Sequence, residues 1–364
     1  MAEQEFKHLF SPVKVGTVTI PNRIVMTGAQ HRLSGDRLLH YFVARAKGGA
    51  GLIISSPHYT FATNEAMIPD LKKISDAVHQ YPTKIFAQLL HHGARLWARQ
   101  RGGRALGPSP VKVRRTFWPG GQNVPHKMDK DDIKRAVKQY GATALIMKQA
   151  GYDGIEIMAA WGFLQSEFLS PAMNIRTDEY GGSLENRMRF LLECIDAIRE
   201  NIGPDFPLGV RFNGDEFIQR VWWTKEHGNT LDEAKEIAKN LEATGKVDYL
   251  LPCADAYGAG HIPPMSFPLG AFAYIATGIK EVVELPVVTV GRVNDPVLAE
   301  TILANNQADL VGMTRAVICD PEMPNKAREG RLEEIRRCVA CNEGCVGPAF
   351  LALPIACTLN YEAG

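Results

Sequence analysis

The sequence has no apolar run approaching the roughly 18 residues that a membrane-spanning helix needs; its longest candidates, 51–55 and 350–357, are far shorter. Nor does it carry an excess of charge. Its 41 basic and 40 acidic side chains leave a net +1, which excludes bulk attraction to nucleic acid or to an anionic membrane surface. The first ten residues hold Glu3, Glu5, Lys7 and His8 where a secretory leader needs apolar residues, so a cytoplasmic protein is expected. Low-complexity tracts are missing too, since the 33 glycines and 22 prolines are spread along the chain, against a disordered or collagen-like polymer. Cysteine is scarce, seven in 364 residues, yet four crowd together as Cys338, Cys341, Cys345 and Cys357, while Cys194, Cys253 and Cys319 stand alone. In a reducing compartment that crowding points to a metal site rather than to disulfides.

What the sequence does have is rhythm. Short β-branched apolar runs at 23–27, 51–55, 84–89, 154–158, 208–212, 249–251, 287–290 and 309–313 alternate with longer helical patterns, among them 131–150, 184–201, 231–244 and 296–305. Ser183 and Thr230 sit where N-caps belong. Eight such βα units predict a closed (β/α)8 TIM barrel, which occupies about 250 residues before insertions. A dinucleotide-binding open sheet is the structural alternative, but no strand is followed by Gly-x-Gly-x-x-Gly; Gly258-Ala259-Gly260-His261 lacks the third glycine. The expected division is a barrel over 1–330 and a cysteine-bearing segment over 331–364. The stretch 93–126, rich in Gly, Pro and Arg, is expected to lie over the barrel mouth.

Barrel enzymes place their chemistry at the C-terminal ends of the strands. There the sequence puts Gln88, then Met158 with Trp161 and Phe163, then Arg211, then Gly291-Arg292 and Thr314-Arg315. The last two turns combine backbone N–H groups, a hydroxyl and guanidinium forks, the groups that hold a phosphate, so a phosphorylated cofactor is expected. The cysteine spacing C-x2-C-x3-C-x11-C suits either an iron–sulfur cluster or a structural zinc, and spacing alone leaves both open.

Asn22-Arg23, Gln88, Phe168-Leu169-Ser170-Pro171 through Asn174, Arg176, Asp178, Tyr180-Gly181-Gly182-Ser183, Glu185-Asn186-Arg187, Arg189-Phe190 and Arg211 together resemble the old yellow enzyme family of FMN barrels over the whole chain. The C-terminal cysteines narrow the resemblance to the branch containing 2,4-dienoyl-CoA reductase and trimethylamine dehydrogenase. It implies FMN with Gln88 at the pyrimidine edge of the ring, Arg211 near N1 and C2=O, Thr27 and Gly28 along the ring, and Gly291, Arg292, Thr314 and Arg315 at the phosphate. It also implies a 4Fe–4S cluster on Cys338, Cys341, Cys345 and Cys357 that passes electrons singly. Gln30 replaces the cysteine that binds flavin covalently in trimethylamine dehydrogenase, so noncovalent FMN is expected.

The departures bear on the substrate. Where the family has His-x-x-His (or Asn)-Gly-Tyr after strand four, this chain has Met158-Ala159-Ala160-Trp161-Gly162-Phe163. No imidazole or phenol remains there to hold a developing oxyanion or donate a proton. His261, near Asp255 and Tyr257, is one substitute, with His91 and His92 behind it. Alternatively Trp161, Phe163 and Tyr257, with Phe217, Trp222 and Trp223, form an aromatic cage for a methylated ammonium. Oxidative demethylation of a methylated amine is therefore placed first. Reduction of an activated alkene or enoyl thioester is second, and a noncatalytic electron-transfer subunit third. The expected partners are a small-molecule substrate and a redox protein, or a reductase domain of the kind that follows this segment in the resembling enzymes. Direct NAD(P)H use and homo-oligomer formation stay open.

Overall fold

The computed structural model describes residues 6–95, 105–114, 122–218, 227–255 and 261–364. Eight parallel strands form its centre: β1 (Ile24–Met26), β2 (Leu52–Tyr59), β3 (Lys84–Leu90), β4 (Gly154–Ala159), β5 (Leu208–Asp215), β6 (Tyr249–Ala254), β7 (Val288–Thr289) and β8 (Leu310–Gly312). They pair in the order β6-β5-β4-β3-β2-β1-β8-β7, and a parallel bridge from Leu250 to Val287 joins the two ends. This is the expected (β/α)8 barrel. Covered by helices outside and by side chains inside, the strands are apolar on both faces, and all six residues of β4 are buried.

The main helices are α1 (Gly35–Lys47), α2 (Ile68–Val78), α3 (Lys130–Gln149), α4 (Leu184–Ile202), α5 (Leu231–Ala243), α6 (Ala273–Lys280), α7 (Pro296–Ala304) and α8 (Thr314–Cys319). Helix α3 shows why they dock: Ile133, Ala136, Tyr140, Ala144 and Met147 recur at helical spacing and are buried, while Lys134, Arg135 and Lys138 face outward. The caps foreseen at Ser183 and Thr230 are present, accepting from the N–H groups of Asn186 and Glu233. An antiparallel hairpin, Val13–Val15 with Val18–Ile20, precedes the barrel, and its Val15 and Ile20 pack with Phe86 and Tyr249 of the barrel interior.

One boundary matters for the site. Pro57 reads as a strand breaker, and the sequence ends strand two at residue 55. In the structure β2 continues to Tyr59, because a register shift against β3 between Ser55 and His58 absorbs the Ser-Pro step. His58 and Tyr59 thus pair opposite Leu89 and Leu90.

Residues 331–364 pack on the barrel. The Ile355 N–H donates to His31 O at 2.8 Å, Asn342 Nδ2 to Ile262 O at 2.8 Å and Asn360 Nδ2 to Ile318 O at 3.0 Å. Ile335, Ile355 and Ala363 share the main hydrophobic core. Cys319, isolated in sequence, is buried in hydrogen-bonding contact with Cys357. No helix among the described residues is long and apolar enough to cross a membrane.

Candidate active site

At the C-terminal ends of the strands lies a cavity of about 540 Å³, within the roughly 300–1,000 Å³ usual for cofactor and ligand sites. It brings together every residue nominated for FMN, namely Thr27, Gly28, Gln88, Arg211, Gly291, Arg292, Thr314 and Arg315, with Gln30, Trp161, Phe163 and His261. Phe217 is not on its wall and packs on Phe272 instead. Tyr257, Trp222 and Trp223 fall outside the described residues.

The floor is a buried polar chain that the sequence reading missed in part. Gln88 accepts from the Ser56 hydroxyl at 2.7 Å and donates through Nε2 to Glu156 at 2.6 Å; the other Glu156 oxygen accepts from the Tyr249 hydroxyl at 3.0 Å. These partners fix which end of the Gln88 amide faces which way, leaving its second N–H and second lone pair for a ligand. Burial pushes the Glu156 carboxyl pKa up, and the nearby Arg211 guanidinium opposes that shift. Arg211 donates to Gly28 O at 3.3 Å. A Cβ on Gly28 would lie 2.7 Å from the pinned Gln88 amide, so only glycine lets this turn close over it.

The cavity meets the demands of a flavin phosphate in donor chemistry. On the cavity wall, Arg211 Nε and Arg292 Nε are buried with no hydrogen-bond partner among the described residues, a costly state that a bound polar group relieves. The two arginines nominated for the phosphate are tethered rather than loose. Arg292, with φ near 60°, donates to the carbonyls of Met265 and Phe267, and Arg315 donates to Pro263 O at 2.8 Å and Asn342 Oδ1 at 2.7 Å. Thr314 Oγ1 accepts from the Thr27 N–H at 2.8 Å and lies 2.7 Å from Thr27 Oγ1, binding the ends of β1 and β8 together.

Trp161 follows β4 with φ 58°, its N–H donating to Asn213 Oδ1 at 3.0 Å and its indole N–H to Ala254 O at 3.2 Å. Asn213 in turn donates to Glu216, whose buried carboxyl also accepts from Ser170 and Asn229 and is pushed up to about 7 by its burial. The rings nominated for an ammonium cage already face cations of the chain: the Arg211 guanidinium lies 4.0 Å from the Trp161 ring centroid and that of Arg95 lies 5.2 Å from Phe163. His261 meets the Trp161 ring edge-on at 5.1 Å. His91 is off the cavity wall, buried, with Nδ1 accepting from the Gly93 N–H, and burial takes its pKa down to about 4.

Sequence reasoning overlooked Tyr59, Phe61 and Arg95, which line the cavity together with His92. Five arginines (Arg32, Arg95, Arg211, Arg292 and Arg315) and two histidines (His92 and His261) stand on this wall, and no aspartate or glutamate does among its described residues. Cys338 and Cys345 also reach it. The Cys345 thiol feels Cys338, Cys341 and Cys357 nearby, and burial, opposed by Arg315, pushes it up to about 11. Among the described residues no group of three or more His, Cys, Asp or Glu side chains is arranged to hold one metal ion. An iron–sulfur cubane distributes its thiolates over separate irons, so its ligands do not share a single ion.

Residues 8–334 match the family described as NADH:flavin oxidoreductase / NADH oxidase. The chain is 40% identical over 381 residues to an NADH oxidase of Thermoanaerobacter brockii, covering 99% of this chain and 56% of that one. It is 35% identical over 380 residues to the N,N-dimethylglycine/sarcosine dehydrogenase of Chromohalobacter salexigens, covering 98% and 53%. Among solved structures, 2-naphthoyl-CoA reductase in complex with 2-naphthoyl-CoA superposes with a TM-score of 0.89 at 31% identity, covering 100% of this chain and 58% of that one. The chain thus spans about half the length of the curated relatives it matches.

Proposed function

The chain belongs to the NADH:flavin oxidoreductase / NADH oxidase family, the flavin-dependent oxidoreductases of old yellow enzyme type, and from that premise we propose that it reduces a conjugated, electron-poor alkene carrying an anionic or strongly polarised acyl group. The observation that carries this reading is the charge of the cavity wall: no carboxylate stands on it among its described residues, and of its five guanidiniums those of Arg32 and Arg95 are left to face a substrate once Arg211, Arg292 and Arg315 are given to FMN. A substrate ammonium about 7 Å from one guanidinium is disfavoured by about 2 kcal/mol at the effective dielectric of a protein interior. An anionic acyl group gains by the same amount, and charge developing on its oxygen during reduction gains more.

When bound, FMN supplies the two-electron exchange with the substrate carbon. The residues would divide the rest of the work. Gln88, oriented by Ser56 and Glu156, would hold the pyrimidine edge; Arg211 would place positive charge near N1 and C2=O; Thr27 and Gly28 would border the ring; Gly291, Arg292, Thr314 and Arg315 would hold the phosphate. Trp161 and Phe163 would keep Arg211 and Arg95 in place by ring contact while excluding water. We assign 331–364 to the 4Fe–4S cluster, on Cys338, Cys341, Cys345 and Cys357, as a single-electron path to a redox partner, with NADH as the source of electrons.

Demethylation of an N-methyl amino acid is the second reading. It is favoured by the missing acid at Met158, Trp161 and Phe163, since amine oxidation needs no proton donor to carbon, and the substrate carboxylate would meet the same arginines. Anaerobic half-reactions decide between them. Reduced holoenzyme should be reoxidised by cinnamate, cinnamaldehyde or a cinnamoyl thioester, while oxidised holoenzyme should stay unbleached by N,N-dimethylglycine and trimethylamine; bleaching by an amine without reoxidation by any alkene removes the first reading.

A further inference from the structure

We infer that Arg45 is the buried counter-charge of the cysteine-held cluster and raises its reduction potential. This rests on the cluster assignment above. Arg45 lies in the last turn of α1 and is only 1% exposed. Its guanidinium donates to Val317 O at 3.1 Å, to Tyr41 O at 2.9 Å and to Ala363 O at 3.5 Å, and its central carbon lies 3.9 Å from the Tyr41 ring centroid. Those partners are carbonyl dipoles and a ring face. No carboxylate among the described residues acts on it, and Asp320, the buried acid that follows Cys319, is taken by Lys326 Nζ at 2.7 Å. A guanidinium keeps its proton inside a protein. A buried charge without an opposite charge is costly, so an anionic group is expected beside this one.

The anion indicated is the one that the cysteines hold. Val317 stands two residues before Cys319, which touches Cys357, and Ala363 belongs to the cysteine-bearing segment. Apart from Tyr41, the group whose negative form acts on Arg45 is Cys357, and Tyr41 in turn feels Cys345. Arg315, on the cavity wall, feels Cys338, Cys341 and Cys345, so guanidiniums reach the cysteines both from the cavity and from α1.

Four thiolates outweigh the positive charge of an iron–sulfur core, and each electron accepted adds to the negative charge. A fixed cation in a low-dielectric interior therefore favours the reduced form over the oxidised one, with no bond made or broken. Arg45 is off the cavity wall, so its charge bears on the cluster rather than on the flavin. A purely structural Arg45, tying α1 to α8 and to the C-terminal segment through carbonyls, would leave the potential where it is.

The experiment titrates wild-type, Arg45→Gln, Arg45→Met and Arg45→Lys holoenzymes anaerobically with redox mediators, following the cluster by electron paramagnetic resonance and the flavin by absorbance. Glutamine keeps a donor for one carbonyl and methionine keeps an apolar stem; both remove the charge, whereas lysine keeps it and loses the fork. Each neutral variant should shift the cluster's reduction equilibrium about tenfold toward the oxidised form, a fall of about 59 mV for one electron. Arg45→Lys should stay within about threefold of wild type, and the flavin equilibrium should move by less than about threefold in all. Loss of the cluster from both neutral variants with retention in Arg45→Lys also supports a requirement for the charge. An unshifted cluster potential in a neutral variant, an equal shift in Arg45→Lys, a flavin shift as large as the cluster's, or loss of the cluster from all three variants overturns the assignment. Wild-type protein without labile sulfide defeats the cluster reading itself, a result distinct from any of these.

Discussion

Replacing Glu156 by glutamine should make the flavin easier to reduce while making the protein less stable. The carboxylate is fully buried between Gln88 Nε2 at 2.6 Å and the Tyr249 hydroxyl at 3.0 Å, and Arg211 is the cation that offsets its burial. An amide keeps an acceptor for Gln88 but gives up the charge facing Arg211, so the guanidinium acts on the flavin with less opposition. Taking one charge-assisted contact as about 1.5–3 kcal/mol, and about 30 mV per 1.4 kcal/mol for a two-electron couple, the midpoint potential should rise by about 30–65 mV. Leaving the buried Arg211 guanidinium without the nearby carboxylate should lower the stability as well. Anaerobic potentiometry against a reference dye and a thermal melt read the two effects on the same sample. A potential that stays fixed or falls, with FMN retained, refutes the placing of Arg211 between carboxylate and flavin.

Arg211→Gln should act in the opposite sense, lowering the same potential by a similar amount. Gly28→Ala should weaken FMN retention at least tenfold in an ultrafiltration assay, because its methyl group meets the Gln88 amide at 2.7 Å and that amide is pinned on both sides. Cys341→Ser should abolish labile sulfide and cluster absorption while leaving FMN bound; zinc without sulfide in anaerobic wild-type protein would remove the cluster. Acid should destabilise the fold: burial depresses His58 to about 3 and His31 and His91 to about 4. Each therefore contributes stability that is present above about pH 6.5 and is lost as pH falls toward its folded value, about 3 kcal/mol over a 2.5-unit window. Glu216, raised to about 7, runs the other way, losing stability as pH rises from about 4.5 to 7, so the three histidines outweigh it. A melting temperature that is flat from pH 6.5 to 4 contradicts this, and His91→Gln should flatten part of the slope.

The barrel was legible because both-face burial forces continuous apolar runs, and each nominated run overlaps the strand found there, although five of the eight strands run on past the nominated end. Strand two was misjudged at its end because a proline inside a bulge looks like a stop, and that error hid Tyr59. The residues most characteristic of the family turn out to be scaffold. Asn174 Nδ2 donates to Phe168 O and Tyr180 O, Arg176 clamps Asp178, Pro108 O and Met128 O, and Arg187 holds Leu169 O and Gly182 O. Such buried clamps tolerate few residue types, so they show in sequence whatever the substrate. Glu156 had a signal, a lone acid inside the otherwise apolar strand Gly154–Ala159, whereas the charge of the cavity had none. Arg32, Arg95, Arg211, Arg292 and Arg315 lie on separate loops and strand ends, and only folding reveals that they share one wall without an acid among its described residues.

The central claim is that this electropositive flavin cavity reduces an anionic conjugated substrate. Its most direct test is the rate at which anaerobically reduced holoenzyme is reoxidised by cinnamate, by the neutral cinnamamide and by a cationic analogue bearing a trimethylammonium group on the ring. The account predicts fastest turnover of the carboxylate, with its advantage shrinking as salt is raised; preference for the cationic analogue, or bleaching of oxidised enzyme by methylated amines alone, would contradict it.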